Sequence, residues 1–215
     1  MSVLEAESLV LERAGRTILC DVSLRVEPGE TIAVIGPSGS GKTSLLTALA
    51  GIQRADAGEV RLHGRPRTAP GREVALVLQG YGLLSLLTAT ENVQVTLRAA
   101  GEKPADAVRE AERALEMVGL GPFAGHLVEE MSGGQQQRVA VARALALRPL
   151  VLLADEPTAE QDPAHRELVV ERLLHREVPG GAVVIATHDP QIAARCDRVV
   201  EVHQGRVVRP DVARS

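Results

Sequence analysis

The sequence predicts an α/β fold with a mostly parallel central sheet, and three observations lead to this prediction. A short apolar run at residues 31–36 is followed by a glycine-rich loop and a helical pattern. In the last third of the chain, strand-like apolar runs alternate with helical segments, as in domains with a parallel sheet. Between these parts, residues 88–147 have a mainly helical pattern, which indicates an inserted helical subdomain.

The first 80 residues favour strands, because β-branched and alternating stretches are bounded there by glycine and proline. The continuous apolar run at residues 31–36 is typical of a strand that is buried on both faces. Residues 43–51 have a helical period that ends at Gly51. The strands predicted in this part are residues 7–15, 16–30, 31–36, 58–64 and 73–79.

The rest of the chain is predicted to supply helices and the remaining strands. Residues 104–120 have an amphipathic helical period, and a second helix is predicted at residues 165–176. The predicted strands are residues 150–156, 181–189 and a final pair within 198–208. We therefore expect one domain over residues 1–215, in which 1–85 and 149–215 form the core with an N-terminal antiparallel β subdomain and 86–148 form the helical subdomain.

Composition argues against nucleic acid as a partner. The net charge is −4, and the only aromatic residues are Tyr81 and Phe123. A nucleic-acid binder normally presents a basic face, and single-strand binders stack bases on aromatic rings. With so few aromatic residues, the core is expected to consist of leucine, valine, isoleucine and alanine.

The cysteines and the apolar runs indicate a cytoplasmic protein. Cys20 and Cys196 are far apart and lack metal-site spacing, so we expect two reduced thiols. The N-terminus lacks the basic start and long apolar stretch of a signal peptide. No apolar run reaches the roughly 18 residues that a membrane helix needs.

Residues 36–43, GPSGSGKT, match the phosphate-loop pattern G-x-x-x-x-G-K-[ST] in full. A buried strand precedes the loop and a helix follows it, which predicts the P-loop NTPase fold. Glycines allow backbone N–H groups to surround a phosphate, and the helix dipole attracts the anion. Lys42 is expected to reach the β- and γ-phosphates of a nucleotide, and the Thr43 hydroxyl to ligate Mg²⁺.

Asp155 and Glu156 follow the apolar run at residues 150–154. Open α/β sheets bind their ligands at the carboxyl ends of the strands, where this pair lies. Asp155 can hold Mg²⁺ directly or through water, and Glu156 can act as the general base for an attacking water. Alone, the pair would be read as two solvated carboxylates. Beside a complete phosphate loop, the catalytic interpretation is favoured.

Gln79 and His188 are predicted to end two further strands of the same sheet. Polar residues at a third and a fourth strand end can converge on the γ-phosphate. For His188 alone, a turn histidine with satisfied hydrogen bonds is the simpler interpretation. The guanine-reading NKxD sequence is not in the chain, so a GTPase is disfavoured.

With these motifs in order, the chain resembles the nucleotide-binding subunit of an ATP-binding cassette (ABC) transporter. The resemblance covers nearly the whole length through GPSGSGKT, Gln79, MSGGQ at residues 131–135, VLLADE at residues 151–156, and His188. Residues 77–93 and 152–158 are most similar to the branch of macrolide exporters, lipoprotein-release ATPases and the cell-division ATPase FtsE.

The resemblance implies an active ATPase with ATP and Mg²⁺ as its ligands. Its catalytic residues would be Glu156, His188 and Lys42, and its metal ligands Thr43, Gln79 and Asp155. The ATP-binding residues implied are Gly36, Pro37, Ser38, Gly39, Ser40, Gly41, Lys42, Thr43, Ser44, Gln79 and Arg13. In the family, an aromatic residue stacks on adenine near the position of Arg13, whose guanidinium plane could replace it.

The resemblance also implies that residues 131–135, the signature segment, bind the ATP of a second subunit. Ser132 and Gln135 have capping-box spacing, which a plain helix start would explain. Gly133 and Gly134 are poor helix formers, and a phosphate approaching the backbone would explain them. No lysine is needed there, because Lys42 of the other subunit supplies it.

The family pattern differs here at the segment after the acidic pair. A leucine–aspartate pair is usual at the dimer contact, whereas this chain has Gln161 and Asp162. Asp162 keeps the carboxylate expected at that contact, and Gln161 could alter communication between the two ATP sites. For the leucines within residues 83–87 two interpretations stay open, a socket for a membrane partner or ordinary core.

The partners implied are a second nucleotide-binding subunit, in a homodimer, and an integral membrane permease at the cytoplasmic face of the membrane. The expected function is to energise that permease, with export as the favoured direction. The alternatives are an importer ATPase, a soluble cassette ATPase, and a regulatory subunit that gates a membrane partner without transport.

Overall fold

The protein is described from a computed structural model that covers residues 2–175 and 177–213. The strands are β1 Leu4–Arg13, β2 Arg16–Val26, β3 Thr31–Ile35, β4 Ala57–Leu62, β5 Arg65–Pro66, β6 Val74–Val77, β7 Val151–Asp155, β8 Ala182–Ala186, β9 Arg198–His203 and β10 Arg206–Ala213. The α-helices are α1 Lys42–Leu49, α2 Ala89–Ala99, α3 Pro104–Met117, α4 Gly133–Ala146, α5 Pro163–Leu174 and α6 Pro190–Ala193.

A six-stranded sheet forms the centre of the molecule, in the order β10-β9-β3-β8-β7-β6. Its strands from β9 to β6 pair in parallel, and β10 is antiparallel to β9. A second, four-stranded antiparallel sheet has the order β2-β1-β4-β5. The predicted fold class is therefore confirmed, with a mostly parallel core sheet and an N-terminal antiparallel part.

Helices α2, α3 and α4 lie between β6 and β7 in the chain. Thr88 begins α2 with a complete capping box, and α3 begins at Pro104, whose fixed φ suits a first helical position. Leucine, valine and alanine side chains of these helices share one buried cluster with one face of the central sheet. The division at residues 85/86 and 148/149 stays a prediction.

Three of the element ends that differ from the sequence prediction bear on predicted site residues. Strand β6 ends at Val77 and β8 at Ala186, so Gln79 and His188 each lie two residues beyond a strand. Helix α5 begins at Pro163 because Asp162 caps it, accepting hydrogen bonds from the N–H groups of Ala164 and His165. The predicted end of this helix at Arg176 lies outside the described residues.

The thiols of Cys20 and Cys196 are both free, as expected. Cys196 is buried, and that burial raises the pKa of its thiol to about 11. Among the described residues, none of the helices is both long enough and apolar enough to cross a bilayer.

Candidate nucleotide site

Four parallel strands end side by side at one edge of the central sheet. Val34 pairs with Ala186, Ala186 with Asp155, and Val77 with Ala154, so the carboxyl ends of β3, β8, β7 and β6 are level. This register places every sequence-predicted catalytic and metal-ligating residue at or just beyond the same edge. The residues concerned are Lys42, Thr43, Gln79, Asp155, Glu156 and His188.

The phosphate loop begins at Gly36, a position that only glycine fits. Its φ is +148°, and a Cβ atom there would lie 2.0 Å from the carbonyl oxygen of Val202. The loop therefore passes directly over the end of β9, with no side chain between the two backbones. This contact fixes where the loop leaves the sheet and where α1 starts.

The start of α1 has the features of an anion site. Its N-cap, Gly41, offers no side-chain acceptor to the first N–H groups, and the first turn holds no acidic residue. Within the described structure, the buried Ser40 hydroxyl has no hydrogen-bond partner. Lys42 Nζ donates to the carbonyl oxygens of Gly36 at 2.7 Å and Pro37 at 3.1 Å, which holds its charge over the loop. These groups fit a nucleotide phosphate.

Thr43 and Asp155 bring two oxygen ligands together across the loop. The Thr43 hydroxyl donates to Asp155 Oδ2 at 2.6 Å. Burial raises the pKa of the Asp155 carboxyl, and the Thr43 hydrogen bond opposes that shift. A hydroxyl and a buried carboxylate at this separation suit Mg²⁺, which prefers oxygen ligands. Gln79, the third predicted ligand, is exposed beyond β6, and its role stays a prediction.

Glu156 and His188 contact each other at the same edge. His188 Nδ1 lies 2.9 Å from Glu156 Oε2, and the Glu156 carboxylate is largely buried while the imidazole is exposed. Glu156 also has a left-handed φ of +47°, which is uncommon for a residue with a side chain. Strained backbone of this kind concentrates at functional sites. This contact with the proposed general base favours the catalytic interpretation of His188, whose role stays a prediction.

The signature segment contains the predicted capping box. Ser132 Oγ accepts from the Gln135 N–H at 3.3 Å, and Gln135 Oε1 accepts from the Ser132 N–H at 2.9 Å. Contacts within its own chain already require glycine at position 134, because a Cβ atom there would lie 2.6 Å from the carbonyl oxygen of Glu160. Gly133 is less restricted, because its nearest neighbour is the flexible Glu160 carboxylate at 3.3 Å.

Two sequence-predicted residues have local partners that the sequence did not indicate. The Arg13 guanidinium faces the Gln53 amide and donates to the Glu12 carbonyl oxygen at 2.9 Å. The Asp162 carboxylate contacts His165 Nδ1 at 2.5 Å besides capping α5, and the His165 hydrogen bond lowers the pKa of Asp162. The adenine contact of Arg13 and the dimer contact of Asp162 stay predictions.

Sequence reasoning missed three polar helix residues that hold loop backbone in place, Asn92, Gln137 and Arg143. The Arg143 guanidinium, on α4, donates to the carbonyl oxygens of Tyr81 and Gly82. Asn92, on α2, is 2% exposed and holds residues 84–88. Its side-chain oxygen accepts from the Leu84 N–H at 2.8 Å. Its amide nitrogen lies within 3.2 Å of three carbonyl oxygens, those of Leu84, Leu87 and Thr88.

Asn92→Ala should lower the free energy of unfolding by about 2 kcal/mol, because it leaves buried backbone groups without partners. Urea denaturation of the purified chain measures the change. Gln94→Ala, on the same helix, is the control and should cost under about 0.5 kcal/mol. Equal losses for the two variants would show that Asn92 does not hold the loop.

The fold and the site define a P-loop cassette that binds nucleotide at the strand ends. The family model described as ABC transporter matches residues 19–159, most of the chain. The chain therefore belongs to the ABC transporter family, as its ATP-binding subunit, and it is an ATPase.

Its relatives belong to the branch predicted from the sequence. The "Lipoprotein-releasing system ATP-binding protein LolD 2" of Caulobacter vibrioides is 44% identical over 214 residues, covering 92% of this chain and 93% of that protein. The "Macrolide export ATP-binding/permease protein MacB 1/2" of Paracoccus denitrificans is 44% identical over 201 residues, covering 89% of this chain and 30% of that protein.

A solved structure confirms the architecture. It is a dimeric post-hydrolysis state of the ATP-binding cassette MJ0796, bound to ADP and Pi, and is 31% identical to this chain. The superposition covers 99% of each chain with a TM-score of 0.91.

Proposed function

We propose that two copies of this chain form a head-to-tail dimer that binds ATP and Mg²⁺ and drives an export-type permease from the cytoplasmic face of the membrane. The observation that carries the proposal is the level edge of four strands, where Lys42, the Thr43–Asp155 pair and the Glu156–His188 pair meet. Each of these groups matches one requirement of phosphoryl transfer to water.

Each residue has a distinct role in this proposal. The uncapped start of α1 and Lys42 bind the phosphates, with residues 36–44 surrounding them. Thr43 and Asp155, with Gln79, hold Mg²⁺, which supplies positive charge to the phosphate oxygens. Glu156 accepts a proton from the attacking water, and His188, already paired with Glu156, orients that carboxylate.

The signature segment is proposed to act on the partner's ATP rather than its own. It offers a capped helix start, with residues 132–135 at the N-terminus of α4, but no cation in its first turn. A helix start without a cation offsets only part of the charge of a polyphosphate. Lys42 of a second copy supplies the further positive charge. The dimeric MJ0796 structure supports this arrangement, since it shows a related cassette paired in the presence of nucleotide products.

A permease is proposed to dock on an apolar groove between the end of α1, β6, α2 and α4. The groove is lined by residues that include Ile52, Thr96, Ala99 and Leu147, and Ile52 is 55% exposed. Beside it, the loop held by Arg143 and Asn92 exposes Leu84 by 53% and Leu86 by 76%. These side chains favour the socket interpretation of residues 83–87, although Leu83 packs on the core. A short amphipathic cytoplasmic helix of a membrane protein fits such a groove.

The export direction is supported by the relatives. The names of the LolD and MacB proteins describe lipoprotein release and macrolide export. Both resemble this chain over about nine-tenths of its length. An importer ATPase remains the alternative, since the direction depends on the membrane subunit.

Affinity purification from detergent-solubilised membranes tests the proposal. The full chain should co-purify with a membrane protein, identified by mass spectrometry, and release phosphate from ATP only with Mg²⁺. Leu86→Glu, on the exposed loop, should lose the membrane protein and keep ATP binding. Recovery of the chain without any membrane subunit would contradict the permease part, and absence of Mg²⁺-dependent phosphate release would contradict the ATPase site.

A further inference from the structure

Positive charge is concentrated on the β4–β5 hairpin and the segments on either side of it. Residues 54–72 contain five arginines but only two carboxylates, in a chain whose net charge is −4. The stretch therefore has a surplus of three positive charges that the composition of the whole chain conceals. The arginines are Arg54, Arg61, Arg65, Arg67 and Arg72, and the carboxylates are those of Asp56 and Glu59.

Both carboxylates in this stretch already have partners. Glu59 pairs with Arg61, and the Asp56 carboxylate accepts from a backbone N–H of β1 at 2.7 Å. Arg72, at the far end of the stretch, pairs with Glu102 at 2.6 Å. Two of the five arginines are thus in ion pairs, and three are left.

The three remaining arginines, Arg54, Arg65 and Arg67, are here called the basic face. Within the described part of the chain, none of them forms an ion pair with a carboxylate. Arg54 and Arg65 are exposed, whereas Arg67 is half-buried and donates through Nη2 to the Ala50 carbonyl oxygen at 3.0 Å. Burial lowers the pKa of Arg67, and the negative charge of Glu73 opposes that shift. The basic face therefore combines one anchored guanidinium with two that extend into solvent.

The basic face adjoins the groove proposed for the permease. Pro70 and Gly71 line both that groove and a second depression, which also contains Arg65 and Arg67. Arg67 lines a third depression together with Arg54. Because each depression shares residues with the next, the groove and the basic face form one continuous surface.

We propose that the basic face binds the anionic headgroups of a membrane leaflet beside the permease. The inference rests on the proposed function, in which the groove receives a cytoplasmic helix of a membrane protein and therefore lies towards the bilayer. A surface that is continuous with the groove then lies towards the bilayer as well. In a symmetric dimer whose two grooves dock on one permease, both basic faces point to the same leaflet.

The chemistry of the basic face suits lipid phosphate. A guanidinium presents a planar fork of N–H donors that matches phosphate oxygens. The arginines lie on separate segments of an open surface, which fits an array of headgroups better than a single bound phosphate. Ile52, in the adjoining groove, is 55% exposed and adds an apolar side chain of the kind that enters the headgroup region. Charge attraction extends only about 8 Å at physiological ionic strength, so it acts on a chain already held near the bilayer.

Co-sedimentation of the full chain with lipid vesicles tests the inference. Vesicles of phosphatidylcholine alone are compared with an equimolar mixture of phosphatidylcholine and phosphatidylglycerol. One variant carries both Arg54→Gln and Arg65→Gln, which remove two charges and leave the hydrogen bond of Arg67 intact. The matched control carries Arg109→Gln and Arg195→Gln, the same loss of charge at exposed arginines on α3 and just after α6. Thermal unfolding and ATP binding should be unchanged in both variants.

The wild-type chain should bind the anionic vesicles on the order of twentyfold more tightly than the neutral ones at low ionic strength. Binding should weaken as the salt concentration rises towards about 0.15 M. The Arg54–Arg65 variant should lose on the order of tenfold, because each arginine near an anionic surface strengthens binding about fivefold. The control should stay within about twofold of the wild type.

Three results with vesicles would overturn the inference. They are equal binding of the wild type to both kinds of vesicle, unchanged binding of the Arg54–Arg65 variant, and an equal loss in the control, which would indicate an effect of net charge alone. Displacement by inorganic phosphate, beyond that by chloride at matched ionic strength, would indicate a site for one phosphate and would also overturn it.

Affinity purification of the Arg54–Arg65 variant distinguishes a lipid from a protein ligand. The variant should still recover the membrane protein that the wild type recovers. Loss of that protein with unchanged vesicle binding would assign the basic face to the permease instead and reject the lipid surface. Vesicle binding requires neither ATP turnover nor a permease, so a failure of the proposed function is measured separately.

Discussion

Glu156→Gln is expected to abolish ATP turnover while ATP binding is retained. The amide has nearly the shape of the carboxylate but cannot accept the proton of an attacking water. Loss of a general base typically lowers a rate by about a hundredfold to ten-thousandfold. Phosphate release by the purified chain should fall within that range, and equilibrium binding should give an ATP affinity close to that of the wild type.

The same variant should also hold the dimer together. If hydrolysis separates the two subunits, a chain that binds ATP without hydrolysing it accumulates as a dimer in size-exclusion chromatography with ATP and Mg²⁺. Glu171→Gln, an identical change on the exposed side of α5, is the control and should behave as the wild type. Phosphate release by Glu156→Gln at the wild-type rate would remove Glu156 from the proposed role.

The sequence predicted which residues lie at the carboxyl edge of the central sheet, because their position depends on strand order. Asp155 and Glu156 follow an apolar run. Such a run indicates a buried parallel strand even when the tertiary structure is not known. Because parallel strands end at the same edge, residues far apart in the chain could be predicted to converge there. In the structure, β3, β8, β7 and β6 do end level with one another at one edge of the sheet.

The sequence could not show which polar side chains on helices hold loops in place. Gln137 and Arg143 lie on α4 and Asn92 on α2, and each contacts backbone groups of a loop. Helical periodicity distinguishes apolar from polar positions, and it therefore predicts that such polar residues face the solvent. Their partners depend on how helix and loop pack, which is decided by tertiary structure.

Gly134 shows how one residue can fit two explanations. From the sequence, its glycine is explained by a phosphate that approaches the signature helix from a second subunit. In the structure, the Glu160 carbonyl oxygen of the same chain already leaves no room for a side chain. The two explanations predict different behaviour when a chain altered at Gly134 is paired with one altered at the phosphate loop.

Lys42→Ala and Gly134→Ala should each prevent the ATP-dependent dimer, and an equal mixture of the two should restore it. The Lys42 variant lacks a working phosphate loop but keeps its signature segment. The Gly134 variant keeps its phosphate loop but lacks a working signature segment. A mixed pair therefore contains one complete shared site, whereas either variant alone contains none. Both changes are made in the Glu156→Gln background, so that bound ATP persists.

Differently tagged chains, mixed with ATP and Mg²⁺ and captured through one tag, measure the mixed pair directly. Circular dichroism and thermal unfolding establish that each variant is folded before mixing. If Gly134 serves only the packing against Glu160, the Gly134 variant has a disturbed turn at residues 156–161 in every pair. Mixing the two variants then restores no ATP-dependent dimer. Recovery of the mixed pair alone requires that the phosphate loop of one chain and the signature segment of the other bind the same nucleotide.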